Sequence, residues 1–250
     1  LRSTVVSVEH AGDTVRVVHT QDGRRMYGIR AKAVIMATGG WINRYVVRDL
    51  PPAYREAYGQ FVHAPFLVAN VALTNWRFLH RLGVTAAIWD REEGGFGYTC
   101  NIRNPMQVGS YQPPLDPDQP TILHFYTPFH HPGLPLKAQV TLGRAELLNT
   151  SYPEFERRIA AQLVKLFAAS GFDLKRDVAG VILNRWGHAF SVPFPGFFGG
   201  AGGKGAAPRD VIRKPHGRIA FAHSELNGWQ HWGPAADEGR RSFTQLADML

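Results

Sequence analysis

Val5, Val6 and Val8, then Val15, Val17 and Val18, stand on either side of an Ala11-Gly12-Asp13 turn, and Asp22-Gly23 marks a second turn. β-Branched residues suit a pleated, half-buried surface, and Asp-Gly favours chain reversal, so residues 1–38 are predicted to form strands. The run from Lys32 to Ala37 has the apolar continuity of a strand buried on both faces and ends in Thr38-Gly39-Gly40. A β-meander feeding a buried strand and a glycine turn is the first expectation.

Further on, Pro51-Pro52 precedes a short helix expected over Tyr54 to Tyr58, and Pro65 to Leu73 has the composition of a long apolar strand. Residues 90–120 are rich in Gly, Pro and Asp and are expected to be irregular, with a strand resuming over Thr121 to Tyr126. Ser151-Tyr152-Pro153-Glu154 has the form of a capping box. Phe155, Ile159, Leu163, Leu166 and Phe167 follow on one helical face until Gly171. Val181 to Trp186 is expected to be a strand that delivers Trp186 and a loop, Gly187 to Ser191.

At the other end of the chain, an apolar strand from Ile219 to Ala222 runs into a polar turn, His223-Ser224-Glu225. Gly228-Trp229-Gln230-His231-Trp232-Gly233 follows, then a helix whose Phe243, Leu246 and Leu250 fall at helical spacing. Pro234 suits a first helical turn, Asp237 and Glu238 suit the positive end of the helix dipole, and Gly239 would admit close packing. Backbone donors near Trp232 and Gly233 are then placed to meet an anion or a polarised carbonyl.

With 250 residues, 44% of them hydrophobic and 12% aromatic, the chain is long enough for one large domain or two interleaved ones. No apolar run approaches the roughly 20 residues that span a bilayer. The net charge of +8 is scattered rather than gathered into a basic run, which argues against a dedicated nucleic-acid face. A single cysteine, Cys100, excludes an intrachain disulfide and a thiolate metal site, and is read as packing.

Other constellations carry less. Gly200 to Gly205 contains G-x-G-x-x-G, but no strand precedes it, Pro208 follows where a helix should grow, and Gly205 stands where a P-loop needs Ser or Thr. It is read as a loop. His130-His131 lies in a Pro-rich stretch without an H-x-x-x-H helix or paired carboxylates, so no metal is expected. G-x-S-x-G is absent, and no Ser-His-Asp arrangement is argued.

Taken together, the Ala37-Thr38-Gly39 turn and the segment from Gly217 to Gly233 resemble the FAD-dependent amine oxidase superfamily. Asn70-Val71-Ala72-Leu73-Thr74-Asn75-Trp76-Arg77 with Leu82-Gly83-Val84 is most similar to its spermidine dehydrogenase-like branch. The resemblance implies an α/β, two-dinucleotide-binding-type flavoprotein fold with an interleaved mixed-sheet substrate domain. It assigns 1–40 and 205–250 to an incomplete FAD-binding part and 41–204 to the substrate part. It further implies that Val5 contacts the adenine, that Ala37, Thr38 and Gly39 form a cofactor-facing turn, and that Ser224 and Glu225 face the ribityl and pyrophosphate region. Trp232 and Gly233 would cover the N1–C2 carbonyl edge of the flavin. Thr38 and Gly39 should then lie near Glu225, with the two chain ends sharing a sheet layer.

For the substrate, the resemblance implies an amine such as spermidine, oxidised by hydride transfer to FAD and held among Trp186, Phe190, Trp229 and His231, since ring faces attract positive charge. Phe190 and His231 replace two tyrosines of the family pattern, and the lysine that holds a water near flavin N5 in many members has no matching position. No catalytic side chain is assigned, because the cofactor carries the chemistry. The pyrophosphate-binding glycine fingerprint is missing from these residues, so an upstream segment of the same gene product is the expected partner. The compartment, cytoplasmic or periplasmic for a bacterial-type soluble protein, stays open. Two rivals remain: a flavoprotein of this fold acting on another substrate class, such as an alkene, and a non-catalytic remnant serving as a binding module.

Overall fold

The computed structural model describes residues 2–90, 95–102, 109–111, 115–200 and 205–250. They form two compact units, one of residues 1–63 with 190–250 and the other of residues 64–189. Segments 41–63 and 190–200, which the resemblance assigns to the substrate part, are grouped with the chain ends.

The first unit opens with β1 (Ser3–Ala11), β2 (Thr14–Gln21) and β3 (Arg25–Ala31), an antiparallel meander turned at Gly12 and at Asp22-Gly23, all three with positive φ. Next come β4 (Val34–Met36), α1 (Gly40–Val46) and α2 (Pro52–Gln60), and at the far end of the chain α7 (Pro208–Ile212), β10 (Ile219–Phe221) and α8 (Trp232–Leu246). β4 and β10 pair in parallel, Val34 with Ile219 and Met36 with Phe221, so the two chain ends share one sheet as expected. The core gathers Val8, Val15, Met36, Val47, Tyr58, Ile212, Ile219, Phe221 and Leu226. β4 is shorter than its apolar run, however, and Ile35 is 38% exposed. Among the described residues β10 is its only sheet partner, and the two-sided burial implied by the run is absent.

α8 also turns a different face inward from the one its apolar spacing suggests. Phe243 and Leu250 are exposed, while Glu238, Ser242 and Leu246 are buried. The Glu238 carboxylate accepts from Arg213 Nε (3.0 Å), Arg241 Nε (2.9 Å) and Asn227 Nδ2 (3.2 Å), and Ser242 Oγ donates to the Phe221 carbonyl (3.0 Å). A buried carboxylate is tolerated only when paired and hydrogen-bonded, and this cluster meets both conditions, fixing α8 against α7 and β10. Glu238 is thus a clamp rather than a dipole partner. A Cβ on Gly239 would meet nothing within 4 Å, so no close packing occurs there.

The second unit is a five-stranded sheet in the order β6-β7-β8-β5-β9: β6 (Ala86–Ile88), β7 (Thr99–Ile102), β8 (Thr121–Pro128), β5 (His63–Leu73) and β9 (Val178–Ser191), of which β5 starts at His63 and β9 ends at Phe190-Ser191, residues counted with the first unit. α3 (Arg77–Leu82), α4 (Leu136–Asn149), α5 (Tyr152–Phe167) and α6 (Leu174–Asp177) complete it. Odd positions of β5 and, from Leu123 on, of β8 are buried and the even positions between them half-buried, and Ala69, Val71, Leu123 and Phe125 pack with Phe78 and Leu79 of α3 and Ile159 and Leu163 of α5. Leu147 of α4 joins Leu67 and Phe155 on the same side. Ser151 caps α5, its Oγ accepting from Glu154 N, while the Glu154 carboxylate turns to Arg157 and Arg158 instead of closing the box.

Two expectations change here. β7 lies inside the stretch read as irregular, and residues 187–191 are the end of β9 rather than a loop. The glycine-rich 200–205 segment falls largely outside the described residues.

Candidate functional site

β4 and β10 both end in turns on the first unit, and the two turns are tied together. After Met36 the chain bends through Ala37 and Thr38, both exposed, to Gly39 and buried Gly40. After Phe221 it passes through His223 into a 3-10 turn, Ser224–Asn227. Glu225 from the second turn is 1% exposed, and its Oε1 accepts from the backbone N–H of Gly40 in the first. Its Oε2 lies 2.5 Å from Nε2 of His63, itself buried. A Cβ on Gly40 would stand 2.5 Å from Glu225 Oε1 and 2.7 Å from Tyr58, so glycine alone permits this approach.

The first turn has a second clamp. Thr38 Oγ1 donates to Asn43 Oδ1, while Asn43 Nδ2 donates to the Tyr58 hydroxyl at 3.1 Å. Burial pushes the Tyr58 phenol well above its ordinary pKa, with the charge of Glu225 adding to the rise, so the group stays protonated. The proximity expected of Thr38-Gly39 and Glu225 is present as a bond from the next residue, Gly40. The carboxylate itself points into protein, not solvent. Ser224 beside it is also buried, and Val5, on β1 at a register shift, is 42% exposed.

α8 begins at Trp232 with His231 as N-cap in extended conformation and with no side-chain cap. Pro234 has no N–H, and Ala235 N already donates to the His231 carbonyl, so the Trp232 and Gly233 amides stand at the open positive end of a fifteen-residue helix. Trp229 and His231 lie 5.2 Å apart between ring centroids and His231 and Trp232 6.1 Å apart, with Trp229 and Trp232 64% and 78% exposed. Gly228 (φ +68°) makes the preceding turn, and its Cβ would press within 2.7 Å of Phe198.

The remaining aromatic candidates sit on β9. Trp186, in the second unit, and Phe190, in the first, have the same strand parity and are both exposed. The structure thus brings together Trp229, His231 and Trp232, while Trp186 and Phe190 share one strand face.

Sequence reasoning missed Gly40, Asn43, Tyr58 and His63. Gly40 reads only as the end of the glycine turn, and the other three belong to no motif; Gly40 and His63 act through Glu225, far away in the chain, and Asn43 and Tyr58 through each other. It also missed His10, Asp49 and His216, whose ligating atoms lie within 4.8 Å of one another. His10 Nδ1 is 2.6 Å from Asp49 Oδ2, and its Nε2 accepts from Arg218 N at 3.2 Å. Both ring nitrogens of His10 are therefore committed to protein. A metal-bound imidazole would instead donate its second N–H, so this arrangement is that of a structural hydrogen-bonded pair.

No family model matches this sequence, and no curated protein does either. Solved structures do. Putrescine oxidase bound to putrescine aligns over 98% of this chain with a TM-score of 0.63 and 14% identity, and cyclohexylamine oxidase from Brevibacterium oxydans IH-35A over 98% with 0.62 and 16%. A putrescine oxidase double mutant from a redesign of cofactor binding aligns over 99% with 0.61 and 15%. The chain spans about half the length of these structures, 47–48%. It has the mixed α/β fold of the FAD-binding amine oxidases over that half. No helix among the described residues is long and apolar enough to cross a membrane.

Proposed function

We propose that these residues form part of an FAD-dependent oxidoreductase that oxidises an amine. The observation that carries the reading is the clasp of two strand-end turns by Glu225 and Gly40, beside which the turn residues Ala37 and Thr38 remain exposed. Strand ends of this kind are where open α/β sheets hold nucleotide cofactors. The residues fit such a group: small, exposed turn residues for close backbone approach, an uncapped helix N-terminus for developing negative charge, and ring faces near it for an amine.

In this reading Ala37, Thr38 and Gly39 pass along the cofactor, Val5 borders its adenine end, and the Trp232 and Gly233 amides face the flavin carbonyl edge, where positive dipole ends favour the reduced, anionic form. Glu225 is a positioning residue: it fixes Gly40, and with it the turn, and Ser224 packs beneath. Bound FAD supplies the two-electron acceptor for a hydride from the carbon beside the amine nitrogen, and water hydrolyses the resulting imine. His231, Trp229 and Phe190 orient the amine, and no side chain is needed as nucleophile.

The chain spans about half the length of the amine oxidases whose fold it shares, and in this reading an upstream segment of the same gene product supplies the pyrophosphate-binding glycine turn. The resemblance to the spermidine dehydrogenase-like branch makes a polyamine one substrate to test.

The test is anaerobic reduction of the flavin-loaded complete protein by a panel of amines, with Phe190→Ala alongside. The reading expects amine-dependent bleaching of the flavin and slower bleaching in Phe190→Ala at unchanged FAD content. A flavin-loaded protein that no amine reduces would overturn the amine assignment and favour the same fold acting on another substrate class.

A further inference from the structure

β10 ends at Phe221, and the chain then passes through His223, in extended conformation, into the 3-10 turn Ser224–Asn227 that carries Glu225. The His223 side chain caps that turn, its Nδ1 accepting from the Glu225 N–H at 3.1 Å. A ring nitrogen accepts only when it carries no proton, so this bond requires a neutral imidazole with its hydrogen on Nε2. The same Nδ1 stands 3.6 Å from Oε1 of Glu225, the oxygen to which the Gly40 amide donates. One atom of His223 therefore lies between an amide that needs it bare and a carboxylate that favours it protonated.

The two demands cannot be met at once. A proton on Nδ1 turns it from acceptor to donor, strands the Glu225 amide, and draws the ring toward Oε1, where it competes with Gly40 for the carboxylate. The His223 side chain is 31% exposed and exchanges protons with water, whereas the Glu225 side chain is 1% exposed. An imidazole ordinarily changes charge between about pH 5 and 8, so both states lie within reach. α7 and α8 pack against the turn, and Tyr58 of α2 and Gly40 of α1 adjoin Glu225. Their charged groups are engaged with one another: Arg213 and Arg241 share Glu238, Arg213 also holds Asn227, Arg209 pairs with Asp210 and Arg240 with Asp237. Arg44 of α1 lies over Tyr45, Arg55 of α2 donates to backbone carbonyls, Glu56 is exposed, Tyr58 stays protonated, and His231 stands between Trp229 and Trp232. His63 occupies the other oxygen of Glu225 and is the second imidazole to be tested at this carboxylate.

We infer that His223 is a positioning residue for the cofactor turn and makes the hold on FAD depend on pH: neutral His223 keeps the Glu225 turn clasped to Gly40, and protonated His223 releases it. The inference rests on the FAD-binding reading above and adds to it a residue that acts through Glu225 and Gly40 without touching the cofactor.

The experiment measures FAD affinity, and amide exchange at Gly40 and Glu225 corrected for its intrinsic pH dependence, in the complete protein at about pH 5.5 and about pH 7.5. The wild type is compared with His223→Asn, whose side-chain oxygen can cap the turn but does not titrate, and with His223→Ala, which does neither. The wild type is expected to bind FAD roughly fivefold more weakly in acid, the effect of a lost cap, with Gly40 and Glu225 losing protection together. His223→Asn should bind like the neutral wild type at both pH values, and His223→Ala severalfold more weakly at both. Wild-type affinity that does not change with pH would overturn the inference. So would an acid loss that persists in His223→Asn, which would assign the effect to His63. Exchange at Gly40 separates this claim from the cofactor reading. A complete protein that takes up no FAD, yet loses Gly40 protection in acid only when His223 is present, supports the proton-dependent clasp and refutes the FAD-binding reading. FAD bound equally by all three proteins at both pH values supports that reading and refutes the inference.

Discussion

Replacing Glu225 perturbs the clasp between the two strand-end turns and leaves the strands themselves in place. The carboxylate is almost wholly buried and hydrogen-bonds the Gly40 amide and His63, with His223 Nδ1 3.6 Å from its Oε1. Glu225→Gln keeps one acceptor oxygen for the amide and forfeits the charge-assisted bond, a loss of about 1.5–3 kcal/mol. Glu225→Leu has nearly the same length but accepts nothing, so a buried N–H is stranded and the contact to His63 is lost. Breaking a buried, hydrogen-bonded pair from one side costs roughly 3–5 kcal/mol. The ordering Leu worse than Gln is the signature, since a site that needed only bulk would rank them the other way. Urea titration gives the stability. Because the two units can unfold in separate transitions, amide exchange at Gly40 should be read beside it. The Gly40 amide should be protected in the wild type, less so in Glu225→Gln, and unprotected in Glu225→Leu. A Leu variant within about 1 kcal/mol of wild type, with Gly40 still protected, would show that the clasp does not hold the turn.

Three further expectations concern the second unit. Gly143 lies inside α4, where alanine ordinarily stabilises by about 1 kcal/mol, yet a Cβ there would sit 2.5 Å from the Phe129 carbonyl oxygen, so Gly143→Ala should destabilise by roughly 1–3 kcal/mol in thermal melts. Burial opposes ionisation of Asp177, but Arg176, the Asp173 amide and Asn75 outweigh it and hold the carboxyl down to about 2. A depressed carboxyl gives stability that is present above its unfolded pKa near 4 and lost as pH falls toward 2, so the acid limb of stability should flatten in Asp177→Asn, by about 1–2 kcal/mol. Burial pushes the Cys100 thiol up to about 12, so native protein should react with iodoacetamide at neutral pH far more slowly than urea-unfolded protein, as mass spectrometry would show.

The sequence was most legible where local chemistry and tertiary demand coincide. Ser151 and the apolar stripe of α5 announce that helix, and the Asp22-Gly23 turn announces its hairpin. α4 was not legible, because its Gly143 reads as a breaker and its exposed Leu142 and Leu148 blur the buried set Val140, Gly143 and Leu147. That glycine is required by the Phe129 carbonyl, a contact that no local pattern encodes. The inward face of α8 was misread for a related reason: Glu238 is buried because Arg213 and Arg241 meet it there, which apolar spacing cannot show. At the site, the turn and the polar residue after β10 stood out, but their partners His63, Asn43 and Tyr58 come from α1, α2 and the start of β5 and have no shared motif.

FAD stoichiometry in the complete protein, measured by native mass spectrometry for the wild type and Gly40→Val, tests the central claim most directly. A Cβ at Gly40 would collide with Glu225 and Tyr58, so the variant should displace the turn that the cofactor follows. The account predicts one FAD per wild-type chain and little or none in folded Gly40→Val. A folded wild-type protein that takes up no FAD when it is supplied, or a folded Gly40→Val that holds it as firmly, would contradict the account.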